Sequence, residues 1–332
     1  MGEGNNCDAP YPDFLERNKF SYPQTPSAGY AIHTSINERF ITMPNKIFRF
    51  YAYLGLSFVL FALFGASSLS AQILRDSKGR PLQIGVQLYS VREQCAKDLH
   101  GTLKALAGMG FRGVEFAGYY GRSAKEMREL LDANRLKAYG THLGLDALLG
   151  DKLDKTMEYC KVIGCKFLSV PWLPENRRNT KQATTETAHL FMEIAKKVNA
   201  NGMVLGWHNE AYEFKPIEGE TIWETFTANS DKSVGLQFDT GNALSVGEQA
   251  APYLLKYPER IVSVHLKDHS KTNPNALLGE GDENWNEVIP ILKTKTATRW
   301  FIIEQESFGQ PPLVCVEKCL RNFEKLWTKG SL

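Results

Sequence analysis

An excess of charge of one sign is missing from this chain, and so are closely paired cysteines and a nucleotide-binding turn. Thirty-nine Lys and Arg oppose 37 Asp and Glu, for a net charge of +2. The clustered basic excess of a nucleic-acid binder is therefore missing, and no nucleic-acid partner is expected. The six cysteines are Cys7, Cys95, Cys160, Cys165, Cys315 and Cys319. No two form a C-x-x-C pair and no His stands at zinc-finger spacing from them, which excludes the common structural zinc modules. Cys160/Cys165 and Cys315/Cys319 fall in predicted helices and read as buried thiols. The first strand ends Gln87-Leu-Tyr-Ser-Val-Arg92 with no Gly-rich phosphate turn after it, which argues against an open nucleotide-binding sheet. No linker divides the chain after residue 72.

The N-terminus has two parts. Residues 1–42 are polar, rich in Gly, Asn, Pro and Ser, and read as a disordered or over-extended leader. From Met43, Lys46 and Arg49 precede an apolar run over 50–66, and small residues then lead to Ala71 and Gln72. Those are the parts of a secretory signal peptide over 43–71, with an uncleaved signal anchor as the alternative because the run is long. The folded part is expected at 72–332, exported to the periplasm or secreted, touching a membrane only through the signal segment; oligomerisation is left open.

After residue 82 strand-like and helix-like segments alternate. Strands are predicted at 83–89, 113–117, 138–143, 167–171, 203–208, 234–239, 262–266 and 300–304. Helical periodicity fills the gaps, as in Leu99-x-x-x-Leu103-x-x-Leu106 and Val316-x-x-Cys319-Leu320-x-x-Phe323. Eight strands alternating with eight helices over about 255 residues is the count and size of a single (β/α)8 barrel.

Four predicted strand ends carry groups that suit one divalent ion, Mn, Co, Zn or Mg. They are Gly-Trp-His208-Asn-Glu210, Gln-Phe-Asp239-Thr-Gly-Asn, Ser-Val-His265-Leu-Lys267-Asp268 and Ile-Ile-Glu304-Gln-Glu306. Active sites of parallel barrels are built at these carboxyl ends. His208 and Glu210 alternate to one side of the chain, as do His265 and Lys267. Asp239 reads equally as a ligand or as a helix N-cap. Glu304 closes the apolar run Trp-Phe-Ile-Ile, where a carboxylate is costly unless paired or metal-bound. His142, at the end of the third strand, suits acid–base work or substrate binding. Glu280 lies in a Gly-rich acidic loop on the same side, and Trp285 after it suits either a sugar face or packing against a helix.

Over residues 84–327 these motifs resemble the sugar phosphate isomerase/epimerase family of xylose isomerase-like barrels. The marks are Gly-Val-Gln-Leu-Tyr-Ser-Val-Arg, Gly-Val-Glu115-Phe-Ala-Gly-Tyr-Tyr, Thr-His142-Leu-Gly, His208-Asn-x-x-x-Glu213-Phe, Phe-Asp239-Thr-Gly-Asn, His265-Leu-Lys267-Asp268 and Gly279-Glu280-Gly281. The resemblance implies one metal held by Asp239, His265, Glu304 and, from strand five, Glu210 or His208. It implies a carbohydrate substrate and Glu210 and Glu304 as the acid/base pair, assisted by His142. His208, Lys267, Glu280, Glu115 and Trp285 are expected on the substrate side. The activity implied is isomerisation or epimerisation through an ene-diolate. The alternatives are an exported lyase or hydratase acting on 3-keto-glycosides and a non-catalytic sugar-binding barrel.

Overall fold

The computed structural model describes residues 74–329, Ser77 aside. The expectations for 1–42 and 43–71, and Cys7, lie outside the described residues. Eight parallel strands close on themselves: β1 Gln83–Gln87, β2 Gly113–Phe116, β3 Lys137–His142, β4 Phe167–Val170, β5 Val204–His208, β6 Val234–Asp239, β7 Ile261–Leu266 and β8 Trp300–Ile303. Each pairs with the next, and β8 returns to β1 with Trp300 opposite Gln83. The fold is the expected (β/α)8 barrel. Its helices are α1 Arg92–Lys97, α2 Leu99–Met109, α3 Ala124–Ala133, α4 Asp151–Ile163, α5 Lys181–Ala200, α6 Ile222–Ala228, α7 Thr240–Ser245, α8 Ala250–Lys256, α9 Trp285–Thr294 and α10 Pro312–Lys329. Among the described residues no helix is long and apolar enough to cross a membrane.

The strands form because Val, Ile, Leu and Phe side chains find cover on both faces. Outward-facing Val86, Val114 and Val264 pack beneath the helices, which lay their own apolar stripes against them. In α3 that stripe is Met127 and Leu131, and Ser123 and Glu126 close a capping box at its start. Cys95, Cys160, Cys165, Cys315 and Cys319 are buried free thiols. Cys165 differs from expectation in one respect: α4 ends at Ile163 on a left-handed Gly164, so this cysteine lies just beyond the helix.

Inside the barrel the side chains stack in two layers. The lower layer is apolar: Tyr139, Phe167, Trp300 and Ile302 form a separate cluster, with Val204 and Val262 against it. The upper layer, at the carboxyl ends, is polar and comes from every strand: Gln87, Glu115, His142, Ser169, His208, Gln237 with Asp239, Ser263 with His265, and Glu304 just past β8. All are buried.

Two register steps separate the layers. The ladder steps from Val114 opposite Ala138 to Glu115 opposite Gly140, which makes Tyr139 an extra residue. On the far side it steps from Leu236 opposite Ile261 to Gln237 opposite Ser263, leaving Val262 extra. Such bulges re-aim the side chains that follow. Tyr139 swings over Gly113, where an added Cβ would lie 2.6 Å from its ring. Gly140 then faces Glu115, and a Cβ there would meet Oε1 at 2.4 Å.

Candidate metal centre

The upper layer converges on His265. Its Nδ1 lies 2.9 Å from Glu304 Oε2 and 3.6 Å from Asp239 Oδ2. Its Nε2 points the other way, to Glu115. The ligand atoms of Asp239, His265 and Glu304 lie within 4.8 Å of one another, and so do those of His142, His208 and His265.

Asp239 fills the N-cap role its sequence context allowed and has its second carboxylate oxygen to spare. Oδ1 accepts from Asn242 N at 2.7 Å and caps α7, while Oδ2 is buried with no hydrogen-bond partner. Asn209 locks the strand end from below: its Oδ1 accepts from Asp239 N at 2.8 Å and its Nδ2 donates to Asp239 O at 3.1 Å. Glu304 Oε1 is likewise buried without a partner. Two ligands each about 2.1 Å from one ion sit about 3.0 Å apart at a right angle and about 3.4 Å apart at the tetrahedral angle. The 2.9 and 3.6 Å separations and the two unpartnered carboxylate oxygens therefore fit a divalent ion.

Strand five offers both expected candidates. His208 is buried, its Nε2 4.0 Å from both Asp239 Oδ2 and Glu210 Oε1, and its Nδ1 has no partner. Burial, helped by His265 and His142, holds its imidazole well below the usual range, so it is neutral and able to donate a lone pair. Glu210 is partly exposed and accepts from Asn242 Nδ2 at 3.1 Å. It belongs to neither of the two groups of three side chains whose ligand atoms all lie within 4.8 Å of one another.

Charge in the centre is balanced by Lys267. Its Nζ pairs with Glu306, donates to Asn242 Oδ1 at 2.9 Å, and lies 3.8 Å from Asp239 Oδ2 and 3.7 Å from Glu304 Oε2. Burial alone would depress this ammonium, but Glu306, Asp239, Glu304 and Glu210 push it well above its usual range. Burial opposes ionisation of Asp239 too, yet Lys267 and the two imidazoles His265 and His208 hold it lower than usual. Glu304 is raised, chiefly by burial, against the pull of Lys267 and His265. Beside Lys267 a pocket of ≈ 170 Å³ opens, lined by Asn242, Ser270, Gln305, Glu306 and Ser307 among others.

The remaining predicted residues are spread more widely. His142 turns inward, its Nε2 2.8 Å from Gln237 Oε1 and 3.2 Å from Glu115 Oε2, with its ring stacked on His265. Glu115 lies in the floor rather than at the mouth. Glu280 is exposed and accepts from Leu277 N within its own loop. Trp285 takes the packing alternative: it is buried at the start of α9, where its indole N–H donates to Asp268 Oδ2 at 2.8 Å. Sequence reasoning passed over Gln87, Asn209, Gln237 and Ser263. A signal existed for two of them, since Gly-Val-Gln87-Leu and Gly-Leu-Gln237-Phe each set an amide inside an apolar parallel strand, where it needs a buried partner.

Residues 103–323 match the family described as the xylose isomerase-like TIM barrel. The chain belongs to that family. An inosose dehydratase of Bacillus thuringiensis (strain Al Hakam) is 24% identical over 251 residues, covering 64% of this chain and 82% of the dehydratase. A sugar phosphate isomerase/epimerase of Parabacteroides distasonis ATCC 8503 superposes with a TM-score of 0.63 at 20% identity, over 77% of this chain and 98% of its own. The protein IOLI, solved with a binding zinc atom, superposes with a TM-score of 0.59 at 12% identity, over 76% of this chain and all of its own, 100%. At these identities the two solved structures speak to the fold alone. The centre of this family member is a possible metal-binding group of His142, His208, His265, Asp239 and Glu304.

Proposed function

We propose that this chain is a divalent-metal-dependent sugar isomerase/epimerase that removes a proton beside a carbonyl and passes through an ene-diolate. The observation that carries this reading is the meeting of His265 Nδ1 with Asp239 Oδ2 and Glu304 Oε2, each carboxylate keeping one oxygen without a hydrogen bond. Buried acids cluster this way at functional sites because leaving them uncompensated is costly. Asp239, His265 and Glu304, with His208 or Glu210 as a fourth, would hold Mn, Co, Zn or Mg, which supplies a Lewis acid for the substrate carbonyl. Glu210, partly open and steadied by Asn242, takes the proton from the sugar carbon. Glu304, starting protonated, delivers its own proton to the ene-diolate, and the two carboxylates regain their starting states by proton exchange with solvent before the next turnover. Lys267, beside the polar pocket, holds a sugar hydroxyl or the developing oxyanion. We place this activity outside the cytoplasm, on the support of the signal-like pattern over 43–71.

A second reading is supported by the inosose dehydratase relative. Elimination beside a ketone begins with the same proton removal, and a leaving group on the next carbon then departs. An exported 3-keto-glycoside lyase or hydratase would use the same residues, with Lys267 steering the departing oxygen.

Incubation of the purified chain with Mn²⁺ and candidate sugars in D₂O separates these readings. The first predicts deuterium at the carbon beside the carbonyl and an epimer or isomer as product. The second predicts release of aglycone or water from a 3-keto substrate. Sugar binding with neither exchange nor release would overturn both and leave a non-catalytic sugar-binding barrel.

A further inference from the structure

Beneath the three metal-capable side chains lies a carboxylate that solvent does not reach. Glu115 is fully buried at the end of β2, and N–H groups surround it. Gln87 Nε2 donates to Oε2 at 2.9 Å, and Gln237 Nε2 donates to Oε1 at 2.8 Å. His142 Nε2 is 3.2 Å and His265 Nε2 2.5 Å from Oε2. The Gln237 amide is itself fixed: its oxygen is 2.8 Å from His142 Nε2, and its nitrogen also donates to Ser263 Oγ at 2.9 Å. Even the backbone yields to this carboxylate, since Gly140 leaves the space that a Cβ would take from Oε1.

An ionised carboxylate accepts and never donates, so the imidazole nitrogen facing it must carry a proton. A metal ion takes the place of a proton on the nitrogen it binds, so with Nε2 keeping its proton the lone pair for the ion is the one on the other nitrogen. In His265 that nitrogen is Nδ1, which faces Asp239 and Glu304. We propose, resting on the metal-centre reading above, that Glu115 is a positioning residue: it holds His265 Nε2–H and so directs the Nδ1 lone pair at the ion. Gln87 and Gln237 fix the carboxylate from either side, and His142 completes the set of donors. Glu115 thus acts through His265 and does not contact substrate. A partner of this kind typically changes metal affinity 10–100-fold.

Two measurements on the full chain test this. The first is calorimetric titration with Zn²⁺ of the wild type and of Glu115→Gln. A glutamine offers one oxygen to donors that now share two, so at least one N–H loses its acceptor, and the variant is expected to bind zinc about 10–100-fold more weakly. The second is ¹⁵N NMR of the histidine rings in the zinc-loaded wild type, which depends on no variant folding. His265 is expected to keep its proton on Nε2 and bind zinc through Nδ1. Zinc on Nε2, an unprotonated Nε2, or undiminished affinity in the variant would overturn the role of Glu115. A wild type that binds no zinc would overturn the metal centre itself.

Discussion

At the scale of single residues, Asp239 shows how one side chain meets two demands. Its Oδ1 caps α7 and its Oδ2 faces His265, so the structural and chemical roles lie on different atoms. Asp239→Asn keeps a capping oxygen but removes the charge. We expect melting within a few degrees of wild type, and metal affinity and turnover lower by at least about 100-fold. Calorimetry and steady-state kinetics on one preparation check both halves. Glu283 makes a different prediction. Its Oε1 accepts from Asn284 N, its Oε2 is buried without a partner, and burial, with Asp268 nearby, lifts the carboxyl from 4.5 to about 7. The folded state therefore holds a proton that the unfolded state has already lost between those values. Unfolding becomes easier as pH rises through that window, by at most about 3 kcal/mol. Glu283→Gln mimics the protonated form. Its melting temperature should match wild type near pH 5 and exceed it by several degrees near pH 8. Equal melting at both pH values would refute this account of Glu283.

At the scale of elements, the bulge at Tyr139 decides how the polar layer is assembled. It turns Tyr139 over Gly113 and leaves Gly140 against Glu115. Gly140→Ala places a methyl group 2.4 Å from Glu115 Oε1. The expected cost is about 1–3 kcal/mol of stability, with weaker zinc binding as Glu115 is pushed aside, both read by denaturant unfolding and titration. Unchanged stability and affinity would show that the floor has slack. This layer also marks how far the sequence could be read. The strands were legible because a parallel strand buried on both faces needs an unbroken apolar run, as in Trp-Phe-Ile-Ile before Glu304. Asp239, His265 and Glu304 stood out because each lies at or next to the carboxyl end of a largely apolar strand. Gln87 and Gln237 were not assigned, since a lone amide does not name its partner and Glu115 is contributed by a different strand. The bulges left no local mark, because register depends on the neighbouring strand. Trp285 fits a sugar face and helix packing equally until it is found buried with Asp268 beside its indole N–H.

At the scale of the molecule, the barrel separates its duties along its axis. The aromatic and aliphatic lower layer closes one end, so each strand can spend its last inward position on a polar group. Eight strands thereby deliver an acid, an imidazole, an amide or a hydroxyl to one small volume, and the helices shield it from the sides. The central claim is that this volume holds one divalent ion. Elemental analysis of the purified chain beside an Asp239→Ala/His265→Ala variant tests it most directly. The account predicts about one Mn, Co, Zn or Mg per wild-type chain and none in the variant. A wild type that stays metal-free after metal is added back, or a variant that keeps its metal, would contradict it.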